Sequence, residues 1–98
     1  MAQGMTLSSD APMAKVILTG SIRQHAGGLG FVEVPGDTAG AVIGALEASH
    51  PALRGWVVDE RGVLRRHVRL FLGGEAVALD AAVGPDDELH IVAAISGG

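Results

Sequence analysis

Cysteine is absent from this 98-residue chain, which excludes a disulfide framework, a cysteine-based zinc site and any thiol nucleophile of its own. Basic residues are scarce: Lys and Arg number 7 against 11 Asp and Glu, giving a formal charge of -4. That balance argues against a nucleic-acid surface, which depends on clustered Lys and Arg. No apolar run approaches the roughly 18 residues of a membrane-spanning helix, and Met1 to Met13 lacks the basic-then-apolar order of a secretory signal. The expected location is therefore the cytoplasm, with no membrane partner. Internal repeats, low-complexity tracts and a second domain are also missing. What remains is one small domain, whose 48% hydrophobic content suffices for a single core.

Catalytic and metal-binding constellations are lacking too. His25, His50, His67 and His90 form no i, i+4 pair and have no carboxylate at a ligand spacing, so no metal site is expected. Asp86, Asp87 and Glu88 read as a solvated turn rather than paired acids. The glycines at 27, 28 and 30 are not followed by the helix N-terminus that a phosphate loop requires.

Residues 1–14 are small and polar without a period and are expected to form a disordered leader, with order beginning at Lys15. Val16-Ile17-Leu18 is apolar on both faces, as in a strand at the middle of a sheet. Gly27-Gly28-Leu29-Gly30 supplies a turn into a second strand, Phe31-Val32-Glu33-Val34, and Pro35-Gly36 ends the hairpin. Asp37 or Thr38 caps the next helix. Its core stripe is Ala39, Val42, Ile43 and Leu46, with Gly40 and Gly44 beside the stripe for close packing on the sheet. Pro51 ends the helix at His50.

Leu53, Trp56 and Val57 are expected as core anchors, and Asp59-Glu60-Arg61-Gly62 as a solvated turn. Val68, Leu70 and Leu72 alternate with His67, Arg69 and Phe71 as in a half-buried strand. Gly73-Gly74 turns the chain into a short strand from Glu75 to Ala78. A brief helical turn is expected at Ala81-Ala82-Val83, and Pro85-Asp86-Asp87 makes another turn. Leu89, Ile91 and Ala93 mark the inner face of the last strand. The order is ββαβββ.

The last strand runs almost directly into Ser96-Gly97-Gly98. Glycine has no Cβ and adopts extended or left-handed backbone freely. Such a tail, residues 95–98, threads a slot too narrow for other residues and presents the Gly98 carboxylate inside it. With no thiol in the chain, any acyl or sulfur chemistry must use that carboxylate.

A hairpin, a helix and further strands suit an α+β fold in which a mixed sheet curls around one helix, with the first and last strands central and parallel. This is the ubiquitin-like β-grasp arrangement, expected over residues 15–94. With the Gly-Gly end, the sequence resembles the MoaD/ThiS family of prokaryotic sulfur carriers. The resemblance spans about residues 15–98. It is carried by Arg23 with Ala26-Gly27-Gly28, Gly36-Asp37-Thr38, Ala45-Leu46-Glu47 with His50-Pro51, Val68 through Glu75, Asp86-Asp87-Glu88-Leu89 and Ser96-Gly97-Gly98. The segment Leu53 to Arg66 makes the chain longer than thiamine-type carriers. It is more similar to the molybdopterin-synthase small subunit and, around Gly36 to Ile43, Leu64 to Val68 and Ala93 to Gly98, to the actinobacterial carrier used for cysteine synthesis.

The resemblance implies that an E1-like enzyme uses ATP to adenylate Gly98, and that a sulfur source converts it to a thiocarboxylate for a sulfur-accepting enzyme. That acceptor would be cysteine-synthase-like or the large subunit of molybdopterin synthase. The chain would then be a protein cosubstrate with no catalytic residue and no bound cofactor of its own. A β-grasp module for binding or protein conjugation is the further alternative. Alternation places Arg69, Phe71, His90 and Val92 on the outer sheet face, an apolar patch with a basic edge suited to a partner.

Overall fold

The computed structural model describes residues 13–93. Five strands and two helices occur there: β1 (Met13–Leu18), α1 (Gly20–His25), β2 (Phe31–Pro35), α2 (Ala39–Ser49), β3 (Val68–Leu72), β4 (Glu75–Val77) and β5 (Glu88–Ala93), with a single 3-10 turn at Pro51–Leu53. They make one mixed sheet in the order β2-β1-β5-β3-β4. β1 and β5 lie side by side and parallel, Val16 opposite Leu89 and Leu18 opposite Ile91. Every other pairing is antiparallel. A parallel pair needs a long crossover, and the whole chain between the two strands supplies it.

Strand alternation then sorts the faces. Ala14, Val16, Leu18, Val34, Val68, Leu70, Leu89 and Ile91 are buried, and α2 meets them with Ala39, Val42, Ile43 and Leu46. The α2 stripe is thus the one its i, i+3, i+4, i+7 spacing indicates. Leu53 and Val57 seal the end of the core beyond the helix.

Helix α2 is anchored at its first turn by three acceptors. Thr38 is the cap, its Oγ1 accepting from Ala41 N at 3.1 Å. Ala39 N donates to Ala81 O at 2.9 Å and Gly40 N to Leu79 O at 2.8 Å. These bonds explain why Ala81-Ala82-Val83 is not helical: Ala82 is bridged to Thr38, Ala81 O accepts from the first free N-H of α2, and Val83 N donates to Asp37 O at 2.9 Å. They also correct the role of Gly40, which lies against Leu79 rather than the sheet; a Cβ there would sit 3.3 Å from Leu79 O. Gly44 is exposed with nothing near its missing Cβ.

Four further corrections follow from local geometry. β1 starts at Met13 and Ala14 is buried, so the ordered domain reaches two residues into the expected leader. Residues 1–12 lie outside the described residues. Helix α1 interrupts the expected β1–β2 hairpin; only Ile22 of its six residues is buried, too few to show a period. Trp56 is 40% exposed because Leu53 and Val57 take the inward positions; its ring stacks on His25 with centroids 3.7 Å apart. The expected turn at Asp59–Gly62 is present, Gly62 N donating to Asp59 O at 2.9 Å, but it is the tip of a small hairpin over 57–65. Val58 bridges Leu64, and Asp59 Oδ1 accepts from Arg61 N and Val63 N.

Two glycines of the helix region predict opposite results. Gly36 has φ +149° and a Cβ there would fall 2.8 Å from both Val42 N and Val42 Cγ2, so Gly36→Ala should lose about 1–3 kcal/mol in chemical denaturation. Gly44→Ala, in open space on a regular helix, should gain about 0.5–1 kcal/mol.

Candidate functional site

The outer face of the sheet carries a continuous row of side chains. Register places Phe31 opposite Ile17, Ile17 beside His90, His90 opposite Phe71, and Phe71 opposite Ala76. Arg69 is opposite Val92 one row further along. All four residues expected from alternation, Arg69, Phe71, His90 and Val92, are therefore brought together as cross-strand neighbours. Arg69 is exposed and the other three are half-buried.

Strand β2 extends this face in a way the sequence reading missed. Phe31 is 54% exposed, and the Lys15 ammonium lies 4.5 Å from its ring centroid. Lys15 Nζ is also 3.9 Å from Glu88 Oε2, and Glu88 Oε1 is 3.6 Å from His90 Nε2. Exposed pairs of this kind contribute about 0–1 kcal/mol each. Their effect is to order side chains rather than to hold the fold. Glu88, expected in a solvated turn, is the first residue of β5; the turn itself is closed by Asp87 Oδ2, which accepts from Gly84 N at 2.8 Å. The signal for Phe31 was present: with Val32 and Val34 facing the core, Phe31 and Glu33 must face out.

The face has the composition of a docking surface, with aromatic and aliphatic groups at the centre and Arg69, Lys15 and Glu88 at the margins. It ends where the chain leaves the sheet. Ala93, the last described residue, is opposite Val68, which follows Arg66-His67 in the chain. Ser96, Gly97 and Gly98 lie outside the described residues.

The sequence matches the ThiS family over residues 16–98. The chain belongs to that family. Among its ThiS-family relatives is Small archaeal modifier protein 1 of Haloferax volcanii, 41% identical over 68 residues, which are 68% of this chain and 78% of the relative. The crystal structure of that protein superposes with a TM-score of 0.79 at 34% identity, covering 88% of this chain and 99% of the other. Sulfur carrier protein CysO of Mycobacterium tuberculosis is 35% identical over 83 residues, 79% of this chain and 89% of the relative. The chain also matches the crystal structure of the Amycolatopsis orientalis BexX/CysO complex, with a TM-score of 0.77 and 30% identity over 87% of this chain and 99% of the matched one. The ubiquitin-like β-grasp fold of the ThiS/MoaD carriers is thereby established for this chain, and its homologues are small carrier and modifier proteins.

A separate cleft of about 560 Å³ opens beside the end of α2, lined in part by Glu47, Arg54, Asp59 and Arg65. Glu47 Oε2 is buried there without a hydrogen-bond partner. Desolvation raises the Glu47 pKa, and Arg54 pulls it partly back. A carboxyl whose folded pKa is raised favours the fold most when protonated, so its contribution is present below the unfolded pKa and lost as pH rises through the folded one. Glu47→Gln should therefore raise the melting temperature at pH 7 and leave it nearly unchanged near pH 4, as differential scanning fluorimetry would read. Asp59 moves the other way: the Arg61 side chain and then the Val63 N-H stabilise its anion, so its pKa is lowered. Its contribution is present above the unfolded pKa and lost as pH falls through the lowered folded one.

Proposed function

We propose that this chain is a sulfur carrier whose Gly98 carboxylate is adenylated by an E1-like enzyme and converted to a thiocarboxylate. The carboxylate oxygen attacks the α-phosphorus of ATP and pyrophosphate leaves. This replaces an oxide, which cannot depart, by AMP, which can. A hydrosulfide ion then adds to the acyl carbon and AMP is expelled, leaving the C-terminal thiocarboxylate. The activating enzyme, and after it the enzyme that accepts the sulfur, seats on the outer face formed by Phe31, Phe71, His90, Val92 and Arg69. The chain supplies the reacting carboxyl and the docking surface, and ATP and the catalytic side chains belong to the partner.

The observation that carries this reading is the family match, which runs through Gly97-Gly98. The likeness to CysO, and to CysO in its complex with BexX, supports a free carrier that visits more than one enzyme. By the same likeness, the acceptor belongs to the chemistry of cysteine or another small sulfur metabolite. The likeness to Small archaeal modifier protein 1 favours a second use of the same activated carboxyl, attack by an amine of another protein to give an isopeptide bond. Intact-protein mass spectrometry after incubation with an E1-like enzyme of the same organism, ATP and sulfide tests the primary reading. One oxygen should be replaced by one sulfur, and an unchanged mass overturns it.

A further inference from the structure

Five of the six arginines fall between residues 54 and 69, where the only acids are Asp59 and Glu60, although the chain as a whole carries a charge of -4. Arg61 is neutralised by Asp59, with Nη2 2.9 Å from Oδ2. Among the described residues, Arg54, Arg65, Arg66 and Arg69 have no carboxylate within ion-pair distance. Local structure gathers these four on one surface. Arg65 donates to Val57 O through its backbone N and to Gly55 O through Nε, which folds the 64–67 segment back against the turn that carries Arg54. Arg69 Nη1 donates to Arg66 O at 2.6 Å, which ties the strand to the same segment. Trp56 and His67 line a shallow pocket with Arg65 in the middle of the patch.

The position of the patch identifies what covers it. Val68, within the cluster, is opposite Ala93, and the five residues from Ala94 to Gly98 reach at most about 17 Å when extended. An enzyme that acts on Gly98 therefore comes within about 17 Å of Ala93, and the surface around Arg65, Arg66 and Arg69 borders that residue through Val68 and Val92. Burying unpaired guanidinium groups against a neutral or basic surface is costly, whereas an acidic surface offers bidentate pairing and faster encounter.

Building on the carrier reading, we infer that the Arg54–Arg65–Arg66 cluster, which adjoins the apolar sheet face at Arg69, is a second docking element that recognises an acidic rim around the tail channel of the activating enzyme. Nucleic acid is the less favoured occupant, because the remainder of the chain is acidic and would repel a phosphate backbone.

Steady-state thiocarboxylation with an E1-like enzyme of the same organism, ATP and sulfide provides the test. Arg66 is exposed and its side chain makes no hydrogen bond among the described residues, so Arg66→Glu leaves the fold intact by circular dichroism. It should raise KM for the carrier about 10-fold with little change in kcat, and Arg54→Gln/Arg66→Glu should raise it further. Arg66→Lys, which keeps the charge, should restore most of the affinity. Raising salt to about 0.5 M should raise the wild-type KM towards that of the variants. If wild type is thiocarboxylated and both charge-changing variants keep its KM at low salt, the cluster is not a docking element. A gel shift with bulk transfer RNA that wild type gives and Arg66→Glu loses, at unchanged KM, would assign the patch to nucleic acid instead. Failure of wild type itself to react overturns the carrier reading, and this inference with it.

Discussion

A chain shortened by Gly98 alone is expected to form no thiocarboxylate, while melting at the temperature of the full-length chain. The first half of that result follows from the chemistry. Adenylation needs a carboxylate at the depth of the nucleotide, and removing one residue withdraws it by about 3.5 Å, more than a near-attack geometry tolerates. The second half is expected because, among the described residues, the last members of the core are Ile91 and, packed against it, Ala93. Gly97→Val makes the complementary test, since it keeps the length and adds a branched side chain. It should fold normally and fail to be activated, because a channel shaped for glycine has no room for a Cβ with two methyl groups. Mass spectrometry reads both variants, and full activity of Gly97→Val would show that the channel is wide.

The second large effect separates the two faces of β3. Leu70 is 1% exposed and lies between Ile91 of β5 and Val77 of β4 on the core side. Leu70→Ala should cost about 2–5 kcal/mol in urea denaturation, the loss expected when a packed leucine leaves a cavity. Phe71, the next residue, is half-buried on the other face between His90 and Ala76. Phe71→Ala should retain the fold and weaken binding to the activating enzyme by about 30-fold, the scale of an interface anchor worth about 2 kcal/mol. Titration calorimetry with the enzyme and a urea melt of each variant would establish the contrast. A reversed pattern would mean that β3 is displaced by one residue, exchanging its faces.

These faces were legible in the sequence because alternation in β3 and β5 and the 3.6-residue stripe of α2 are each set by burial against one core. Legibility failed where an element answers to something other than periodic burial. Helix α1 inserts one residue, Ile22, into the core and turns on Gly20 at φ +58°, so it has no repeat to detect. The Ala81–Val83 segment has helix-forming residues, yet Ala81 O and Val83 N are committed to Ala39 N and Asp37 O at the start of α2, a distant demand that local propensity does not register. Trp56 was misplaced because size was read as burial, when the two positions at core depth were already filled by Leu53 and Val57. In the candidate site, the four residues taken from alternation do meet on one face, whereas Phe31, Lys15 and Glu88 join them only through the pairing of β1 with β2 and β5. The arginine cluster was hidden by the acidic total, since net charge averages away a segregated patch.

The parallel pairing of β1 with β5 also dictates when the domain can form. Residue 15 is matched with residue 88, so the sheet has no middle until the last strand is available. A nascent chain that has not yet released Glu88 to Ala93 holds two separate ribbons, β1 with β2 and β3 with β4. Isolated two-stranded ribbons are at best marginal in water. Folding of this domain is thus deferred until its last strand has been made, and closing so distant a contact carries a loop-entropy cost that slows the final step. On the carrier reading, the same late strand completes the sheet and leads to Gly98, so the carboxylate offered to a partner is joined to a finished domain rather than to a partly folded one.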